Sequence, residues 1–338
     1  MARKGGWRRE GSPGRFRYYD ARGNRIRDEA KLARIQSLVI PPAWKDVWIS
    51  PRPAAKLQAT GVDKAGRRQY LYHPEFRAQQ EQAKYDKLIR FAEKLPDLRA
   101  AMAEHMDRDS LDRERVSAVA TRLINRAWFR VGSERYAKES RTFGITTLTK
   151  RHVSVRGHKI AFVFRAKHKV LVRTTLVDAE LAGAMKELLE LRGGRRLFRY
   201  QEAGELYNVT GRRLNDYVRT YLGDDFTAKD FRTWGGTLTA AIAFAERGPV
   251  ETPTEQKRVV ASVMRRVGEQ LGNTPAVARS SYVSPAVIEQ YLDGRTIDDF
   301  RPRHLRVVGA RDMGLDFEEQ ALLSLLRSWK IRQARAAA

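Results

Sequence analysis

Hydrophobic and polar positions follow two different patterns along the chain, and the change falls near residue 76. In the first part, short apolar and aromatic runs alternate with glycine- and proline-rich turns, a pattern typical of β-strands. Strands are predicted at Phe16–Tyr19, Val47–Ile49 and Tyr70–Tyr72. From Glu75 to Leu95 the chain carries no proline or glycine, which favours a helix that joins the two parts. We therefore predict two domains, residues 1–76 and residues 77–338.

The second predicted domain shows mainly helical periodicity. Between Asp109 and Arg130, apolar residues recur at three- and four-residue steps and predict one buried helix face. Further helical patterns cover residues 178–191, 206–222, 229–246, 253–271 and 317–335. Strand patterns occur at Ile145–Leu148, at Val153–Val155, and in a hairpin of Lys159–Phe164 with Val170–Thr174. The whole pattern predicts an α+β fold, with a small β-rich N-terminal domain and a larger, mainly α-helical domain that carries a small β-hairpin sheet.

A large excess of positive charge indicates a polyanionic partner. The chain has 65 Lys and Arg residues against 40 Asp and Glu, which gives a net charge of +25. Cations that neutralise nucleic-acid phosphates release counterions, and this release is the usual driving force for binding. An acidic lipid surface is the alternative partner, but the basic residues lie among aromatic residues throughout the chain rather than in one tail. We therefore expect the partner to be a nucleic acid.

The sequence lacks the residues that several kinds of chemistry require. The chain has no cysteine, which excludes disulfides, zinc ribbons and thiol nucleophiles. Its 6 histidines form neither an HExxH nor an HxH pattern, and no GxxxxGK[ST] loop is present, so we expect neither a metal nor a small-molecule cofactor. The basic N-terminus lacks the apolar stretch of a secretory signal, and no apolar run approaches the roughly 18 residues that span a bilayer. We expect a cytoplasmic protein without a membrane segment.

A phosphodiester can still be attacked by a hydroxyl nucleophile that is surrounded by fixed cations. A tyrosine needs such cations because its ordinary pKa of about 10 makes it a poor nucleophile at neutral pH. Arginine can hold two phosphate oxygens with its planar fork, and a lysine can protonate the leaving oxygen. These requirements alone do not choose among the 12 tyrosines of the chain.

Separate blocks of sequence resemble one known family. They are IPPAWKDVWI at 40–49, GVDKAGRRQYLYH at 61–73, AWFRVGSERYAKESRTFGITTL at 127–148, KDFRTW at 229–234 and LGNTPAVARSSYVSP at 271–285. Together, in this order and at this spacing, they resemble the poxvirus-like bacterial type IB DNA topoisomerases from about residue 35 to residue 295. Blocks that match in register over most of the chain are more specific than one short motif.

The resemblance implies an enzyme that relaxes supercoiled duplex DNA without ATP or metal. One strand is cut through a 3′-phosphotyrosyl intermediate, swivels, and is religated. Arg130 and Arg232 are then expected to hold the scissile phosphate, and Asn273 to donate a hydrogen bond to one of its oxygens. Lys167 is expected to be the general acid that expels the 5′-oxygen, and Tyr282 to be the nucleophile. The family also implies a monomer whose two domains form a C-shaped clamp around DNA. We expect it to be associated with the nucleoid.

Two of these assignments leave alternatives open. Relatives from poxviruses and nuclei carry His where this chain has Asn273, and Asn can donate a hydrogen bond but cannot carry charge. We therefore expect Asn273 to stabilise rather than to transfer protons, with cleavage less sensitive to pH near 6.5. The second case is Lys167, because Lys169 lies close enough in sequence to take its role.

The resemblance also implies residues that contact DNA. They are Arg67, Arg68, Gln69, Tyr70, Tyr72 and Tyr136. In a strand, Gln69 and Leu71 face one way while Tyr70 and Tyr72 face the other. In the resembling enzymes this segment lies in the major groove, where Gln can read adenine and Arg can read guanine. The alternative is a plain edge strand whose tyrosines pack on the sheet.

Two other functions compete with this interpretation. A tyrosine recombinase shares the catalytic fold and the Arg, Lys, Arg and Tyr roles, but usually carries HxxR where this chain has KDFR at 229–232. Its N-terminal arm domain is also usually helical, whereas residues 1–74 here show strand patterns. A non-catalytic basic DNA-binding protein on the same fold is the second competitor, and it would form no covalent adduct.

Overall fold

The computed structural model describes residues 5–301 and 314–337. The chain divides into two compact units, and the boundary between them lies between Asp86 and Lys87. Helices predominate, and the strands form small antiparallel sheets, as the sequence pattern predicts for an α+β fold.

The first unit is built on one five-stranded antiparallel sheet. Its elements are β1 (Trp7–Glu10), β2 (Arg17–Tyr19), α1 (Glu29–Ser37), β3 (Lys45–Ile49), β4 (Leu57–Val62) and β5 (Arg68–Tyr72). The strand order is β2-β1-β3-β4-β5, so β5 lies at an edge. Helix α1 begins at the cap Asp28, whose side chain accepts a hydrogen bond from the backbone of Lys31. Ile35 from this helix is buried with Trp7 and Ile49 in the unit's core.

The second unit is mainly helical, and its first helix starts within the first unit. Its elements are α2 (Pro74–Met106), α3 (Arg113–Ala127), α4 (Glu134–Glu139), β6 (Val153–Arg156), β7 (Lys159–Arg165), β8 (Leu171–Val177), α5 (Ala179–Glu190), β9 (Arg199–Glu202), β10 (Glu205–Asn208), α6 (Gly211–Leu222), α7 (Ala228–Arg247), α8 (Pro253–Leu271), α9 (Pro275–Ser281), α10 (Pro285–Leu292) and α11 (Phe317–Ala337). Strands β6, β7 and β8 form one antiparallel sheet, and β9 and β10 form a separate hairpin. Within the described ranges, no helix has the length and apolar character needed to cross a membrane.

Helix α7 is the central helix of the second unit. It packs against α3, α6, α8, α10 and α11, and most of its side chains are buried. Phe231 and Trp234 pack on Phe91 of α2, with ring centroids 5.1 and 6.1 Å away. The indole Nε1 of Trp234 also donates a hydrogen bond to the carboxylate of Glu319 on α11. Aromatic pairs add about 0.5–1.5 kcal/mol each beyond area burial, so the part of α7 that carries Arg232 is firmly fixed.

Two of the predicted elements are wrong. The strand predicted at Ile145–Leu148 is instead a 3₁₀ turn over Ile145–Thr147, in which the Thr147 hydroxyl accepts a hydrogen bond from the backbone N–H of Gly144. A short buried apolar run does not by itself distinguish a strand from a helical turn. The helix predicted over 206–222 begins only at Gly211, because the residues before it pair as strand β10 with β9.

Candidate active site

A loop at the end of α3 holds Arg130. Trp128 ends the helix in the left-handed region, with φ 51°, and turns the chain away from the helix axis. The carbonyl of Arg130 then accepts a hydrogen bond from the backbone of Ile145, 2.8 Å away. A Cβ on Gly144 would lie 2.5 Å from this same carbonyl oxygen, so only glycine allows the approach. The 3₁₀ turn that the sequence pattern did not predict is therefore what fixes the arginine loop.

Arg232 lies in the second turn of α7, and its side chain is buried. Its Nη1 donates a hydrogen bond to the carbonyl of Trp128, and its Nη2 donates to the carbonyl of Leu271 at 2.7 Å. Its Nε is also buried and, among the described residues, has no hydrogen-bond partner. The guanidinium is therefore held by two carbonyls while a third donor remains available.

The C-terminal end of α8 brings both arginines together. Arg130 donates to the carbonyl of Leu271 at 3.4 Å and to the carbonyl of Gly272 at 3.3 Å, and the same Leu271 carbonyl accepts from Arg232. Gly272 ends the helix in the left-handed region, with φ 60°. The carbonyls at a helix C-terminus carry partial negative charge, so they stabilise two adjacent cations without neutralising them.

Asn273 is the next residue, and its orientation follows from its neighbour. The Nη2 of Arg130 lies 2.8 Å from the Oδ1 of Asn273. Since a guanidinium only donates, the amide atom facing it must be the oxygen. The amide nitrogen of Asn273 keeps only a long contact of 3.4 Å with the Leu271 carbonyl. The amide nitrogen is therefore only weakly engaged.

Tyr282 caps the C-terminal end of α9, a short helix that starts at the cap Thr274 and at Pro275. The guanidinium carbon of Arg232 lies 5.0 Å from the centre of its half-buried ring. Burial raises the pKa of the phenol. The charge and hydrogen bond of Arg232, together with the charges of Arg130 and Lys229, lower the pKa by more than burial raises it. The net pKa of Tyr282 lies below its ordinary value of 10.0.

The electrostatics of the two arginines are those of an anion site. Burial and the charge of Arg130 lower the pKa of Arg232 to about 10, so Arg232 stays protonated at neutral pH although its charge is desolvated. Burial likewise lowers the pKa of Arg130. Among the described residues, neither arginine forms an ion pair with a carboxylate. Adjacent cations that are wholly or partly buried without such partners are costly unless an anion binds, and a phosphate is an anion that arginine binds well.

Lys167 lies at the tip of the β7–β8 hairpin and is exposed. His168 and Lys169 adopt left-handed backbone angles, with φ 62° and 60°, and form the tight turn. Val170 at the end of this turn lies 3.8 Å from where a Cβ on Gly272 would be, so the hairpin tip borders the site. Within the described residues, Lys167 makes no hydrogen bond or ion pair with the other four predicted catalytic residues.

Lys229 is a site residue that the sequence interpretation did not select. It lies on α7 three positions before Arg232, and its charge helps to lower the pKa of Tyr282. Its spacing from Arg232 could have identified Lys229 from the sequence, because residues three apart lie on the same face of a helix.

The predicted DNA-contact residues of β5 fall on two faces. Arg68, Tyr70 and Tyr72 are exposed, and the two tyrosine rings stack with centroids 6.3 Å apart. Gln69 is half-buried and donates to Asp63 at 2.8 Å, which is also the partner of Arg67 at 2.7 Å. The hydrogen bond from Arg67 is the largest cause that lowers the pKa of Asp63 to about 2. The strand alternation predicted from the sequence is confirmed, and the exposed face holds Arg68 with the two tyrosines.

Tyr136, the remaining predicted contact, lies on α4 and is 45% exposed. In residues 5–301 and 314–337, no group of three or more His, Asp or Glu side chains is arranged to hold a metal ion.

Comparison with known proteins covers nearly the whole chain. Residues 73–298 match the family described as "Eukaryotic DNA topoisomerase I, catalytic core", and residues 15–63 match "Bacterial DNA topoisomerase IB, N-terminal domain". The chain is 32% identical to the DNA topoisomerase 1B of Acanthamoeba polyphaga mimivirus over 330 residues, which are 95% of this chain and 94% of the viral protein. It is 24% identical to the DNA topoisomerase 1B of Vaccinia virus (strain Copenhagen) over 274 residues, which are 78% of this chain and 83% of that protein. Every predicted catalytic residue lies inside the 73–298 match.

Proposed function

The chain belongs to the type IB DNA topoisomerases, and from that premise we propose that Tyr282 is its nucleophile and that Arg130 and Arg232 hold the scissile phosphate. The observation that carries the proposal is the convergence of two arginines on the half-buried ring of Tyr282, whose pKa is lowered. Arg232 is buried and Arg130 partly buried, and neither has a carboxylate partner among the described residues. A bound phosphate supplies the missing negative charge and brings phosphorus to the phenol.

The proposed cleavage step exchanges one phosphodiester for another. The phenol oxygen of Tyr282 attacks phosphorus, its proton passes to solvent water, and the bond from phosphorus to the 5′-oxygen breaks. Arg130, Arg232 and the amide nitrogen of Asn273 stabilise the charge that builds on the phosphate oxygens. Lys167 protonates the departing 5′-oxygen once DNA orders the hairpin tip. The products are a 3′-phosphotyrosyl link and a free 5′-hydroxyl.

Relaxation follows from the energetics of that link. The phosphotyrosyl bond conserves the energy of the broken phosphodiester, so the reverse attack by the 5′-hydroxyl needs no ATP. The free strand swivels while the enzyme stays attached, and the elastic energy of supercoiled DNA makes the change downhill. The reaction is therefore an ATP-independent relaxation of duplex DNA.

Binding of the duplex is assigned to both units. The exposed face of β5 contacts the major groove through Arg68, Tyr70 and Tyr72, and Tyr136 contacts DNA from α4. We assign residues 1–76 to a DNA-binding domain and residues 77–338 to the catalytic domain, and propose that a monomer closes them around DNA as a C-shaped clamp in the cytoplasm. The net charge of +25 supports a partner whose affinity falls steeply with salt.

A tyrosine recombinase remains the nearest alternative because the catalytic roles are shared. Against it are the KDFR sequence at 229–232, which lacks the His of HxxR, and the five-stranded sheet in place of a helical arm domain. The non-catalytic alternative is opposed by the arrangement of Arg232 over the Tyr282 ring with Arg130 beside it, neither arginine having a carboxylate partner among the described residues.

The decisive experiment is relaxation of supercoiled plasmid in EDTA without nucleotide, with wild type and Tyr282→Phe side by side. We expect relaxation and a covalent protein–DNA adduct from wild type alone, with equal DNA binding by both proteins. Strand exchange between specific sites would favour the recombinase. Binding without relaxation or adduct by wild type would favour the non-catalytic protein.

A further inference from the structure

Two consecutive glycines and a threonine on α7 lie between the loops that carry the catalytic groups. A Cβ on Gly235 would lie 2.2 Å from the indole of Trp128, whose carbonyl holds Arg232. A Cβ on Gly236 would lie 2.8 Å from the carbonyl oxygen of Tyr282 and 3.1 Å from its Cβ. The Trp128 loop therefore lies directly against the helix backbone at Gly235, and the Tyr282 segment lies against it at Gly236.

Thr237 connects the helix to the nucleophile segment through one hydroxyl. Its Oγ1 donates to the carbonyl of Tyr282 at 3.2 Å and accepts from the backbone N–H of Ser284 at 3.1 Å. The residue is completely buried, with 0% of its surface exposed. Both partners are about 45 residues away in sequence, so this hydroxyl is a tertiary contact and not local turn chemistry.

The position of this contact on α7 links it to Arg232. Arg232 and Gly236 are four residues apart, so they lie on one face of the helix, about 6 Å apart along its axis by the rise of 1.5 Å per residue. One rigid helix thus carries both the guanidinium that faces the tyrosine ring and the contact that fixes the tyrosine backbone. Thr237 follows Arg232 by five residues, so the separation between nucleophile and phosphate ligand is set within about one and a half turns of α7.

We propose that Thr237 is a positioning residue for cleavage, and that its hydroxyl fixes the backbone of Tyr282 at the distance from Arg232 that attack requires. This inference rests on the proposed role of Tyr282. Misplacing a reacting group by about 1 Å can cost about 100-fold in rate, so a single hydrogen-bonding group can have a large effect on the chemical step.

The test is single-turnover cleavage of a duplex oligonucleotide at saturating enzyme, measured as covalent adduct. Thr237→Val keeps the side-chain shape but removes the hydroxyl, and we expect cleavage about 10- to 100-fold slower with unchanged DNA affinity. Thr237→Ser keeps the hydroxyl and should recover most of the wild-type rate. Thr239→Val is the matched control: Thr239 is buried on the same helix and, in the described residues, makes no hydrogen bond to the Tyr282 segment.

A pH profile separates positioning from general stability. If Thr237 holds Tyr282 near Arg232, Thr237→Val raises the pKa of the phenol and moves the alkaline rise of the cleavage rate to higher pH. A role in stability alone would lower the melting temperature without moving that rise, and this outcome would overturn the inference. Should Thr237→Val fail to fold, Gly236→Ala displaces the same segment with the hydroxyl intact. Slow cleavage by folded Gly236→Ala supports the inference, and a wild-type rate overturns it.

The outcomes also distinguish this inference from the proposed function. Wild-type adduct formation with an equal rate for Thr237→Val overturns the positioning role alone. Absence of any adduct from wild type overturns the role of Tyr282 and, with it, the role of Thr237.

Discussion

Arg130 donates a hydrogen bond to the side-chain oxygen of Asn273, and 2.8 Å separate its Nη2 from Oδ1. In the proposed site the asparagine therefore acts on both sides: it orients Arg130 and leaves its amide nitrogen to donate to the phosphate. A protonated histidine could donate to the phosphate but could not accept from Arg130. The asparagine combines both functions in a group that does not titrate, so this contact should be independent of pH.

Asn273→His should add to cleavage a pH dependence near the histidine pKa, beyond the dependence that ionisation of Tyr282 gives the wild type. At pH 8 the neutral imidazole can accept from Arg130 and donate with its other nitrogen, so we expect activity within about tenfold of wild type. As pH falls through the histidine pKa, ordinarily about 6.5 and lower beside two arginines, the imidazolium repels Arg130 and the rate drops. Single-turnover rates between pH 5 and 8 measure this. Asn273→Ala is the control, slow at every pH, and a dead Asn273→His at pH 8 would contradict the assigned role.

Arg232→Lys should slow cleavage although the positive charge is kept. The guanidinium bonds to the carbonyls of Trp128 and Leu271 and still has Nε for the phosphate, whereas one ammonium cannot occupy all three positions. Loss of one such donor typically costs about 100- to 1,000-fold in rate. Adduct formation at saturating enzyme is the measurement, with the exposed Arg266→Lys as control. Equal rates for the two variants would remove Arg232 from the phosphate site.

Lys229→Gln should move the pH dependence of cleavage rather than abolish DNA binding. The charge of Lys229 favours the phenolate and helps to lower the pKa of Tyr282. Without it the pKa rises toward 10.0, so a smaller fraction of Tyr282 is ionised at any pH below that value and the alkaline rise shifts to higher pH. The profile of cleavage rate against pH tests this, with Lys257→Gln on α8 as control. An unshifted profile would show that Lys229 does not influence the phenol.

Arg68→Ala should reduce the salt dependence of DNA binding. Arg68 lies on the exposed face of β5 with Tyr70 and Tyr72. If it contacts one phosphate, its loss lowers the slope of log affinity against log salt by about 0.9. Binding to one duplex at several salt concentrations gives the slope. Arg22→Ala, which removes the same charge from an exposed turn of this unit, should leave the slope unchanged. An equal effect of both variants would mean that only net charge matters.

The sequence pattern predicts the scaffold better than the site. Long amphipathic segments and the β7–β8 hairpin are visible because their periodicity repeats over many residues. The short helices α9 and α10 on either side of Tyr282 are not, since seven or eight residues carry too little periodicity. Residue type alone could not choose the tyrosine that we propose as nucleophile either. Arg130 and Asn273 are 143 positions apart and meet only through the end of α8, a tertiary contact that local sequence does not encode.

Lys167→Ala should slow cleavage of normal DNA, and a better leaving group should remove the defect. Lys167 is exposed at the hairpin tip, so its assigned role as general acid requires DNA to draw it toward the 5′-oxygen. A substrate with sulfur in place of that bridging oxygen expels a thiolate, which needs no proton because thiol pKa values lie near 8.5. We expect Lys167→Ala to be about 100-fold or more slower on the oxygen substrate and close to wild type on the sulfur substrate. Lys169→Ala is the matched control from the same turn, because it loses the same charge and should be nearly normal on both substrates. If Lys169→Ala shows the defect that sulfur repairs and Lys167→Ala does not, Lys169 is the general acid.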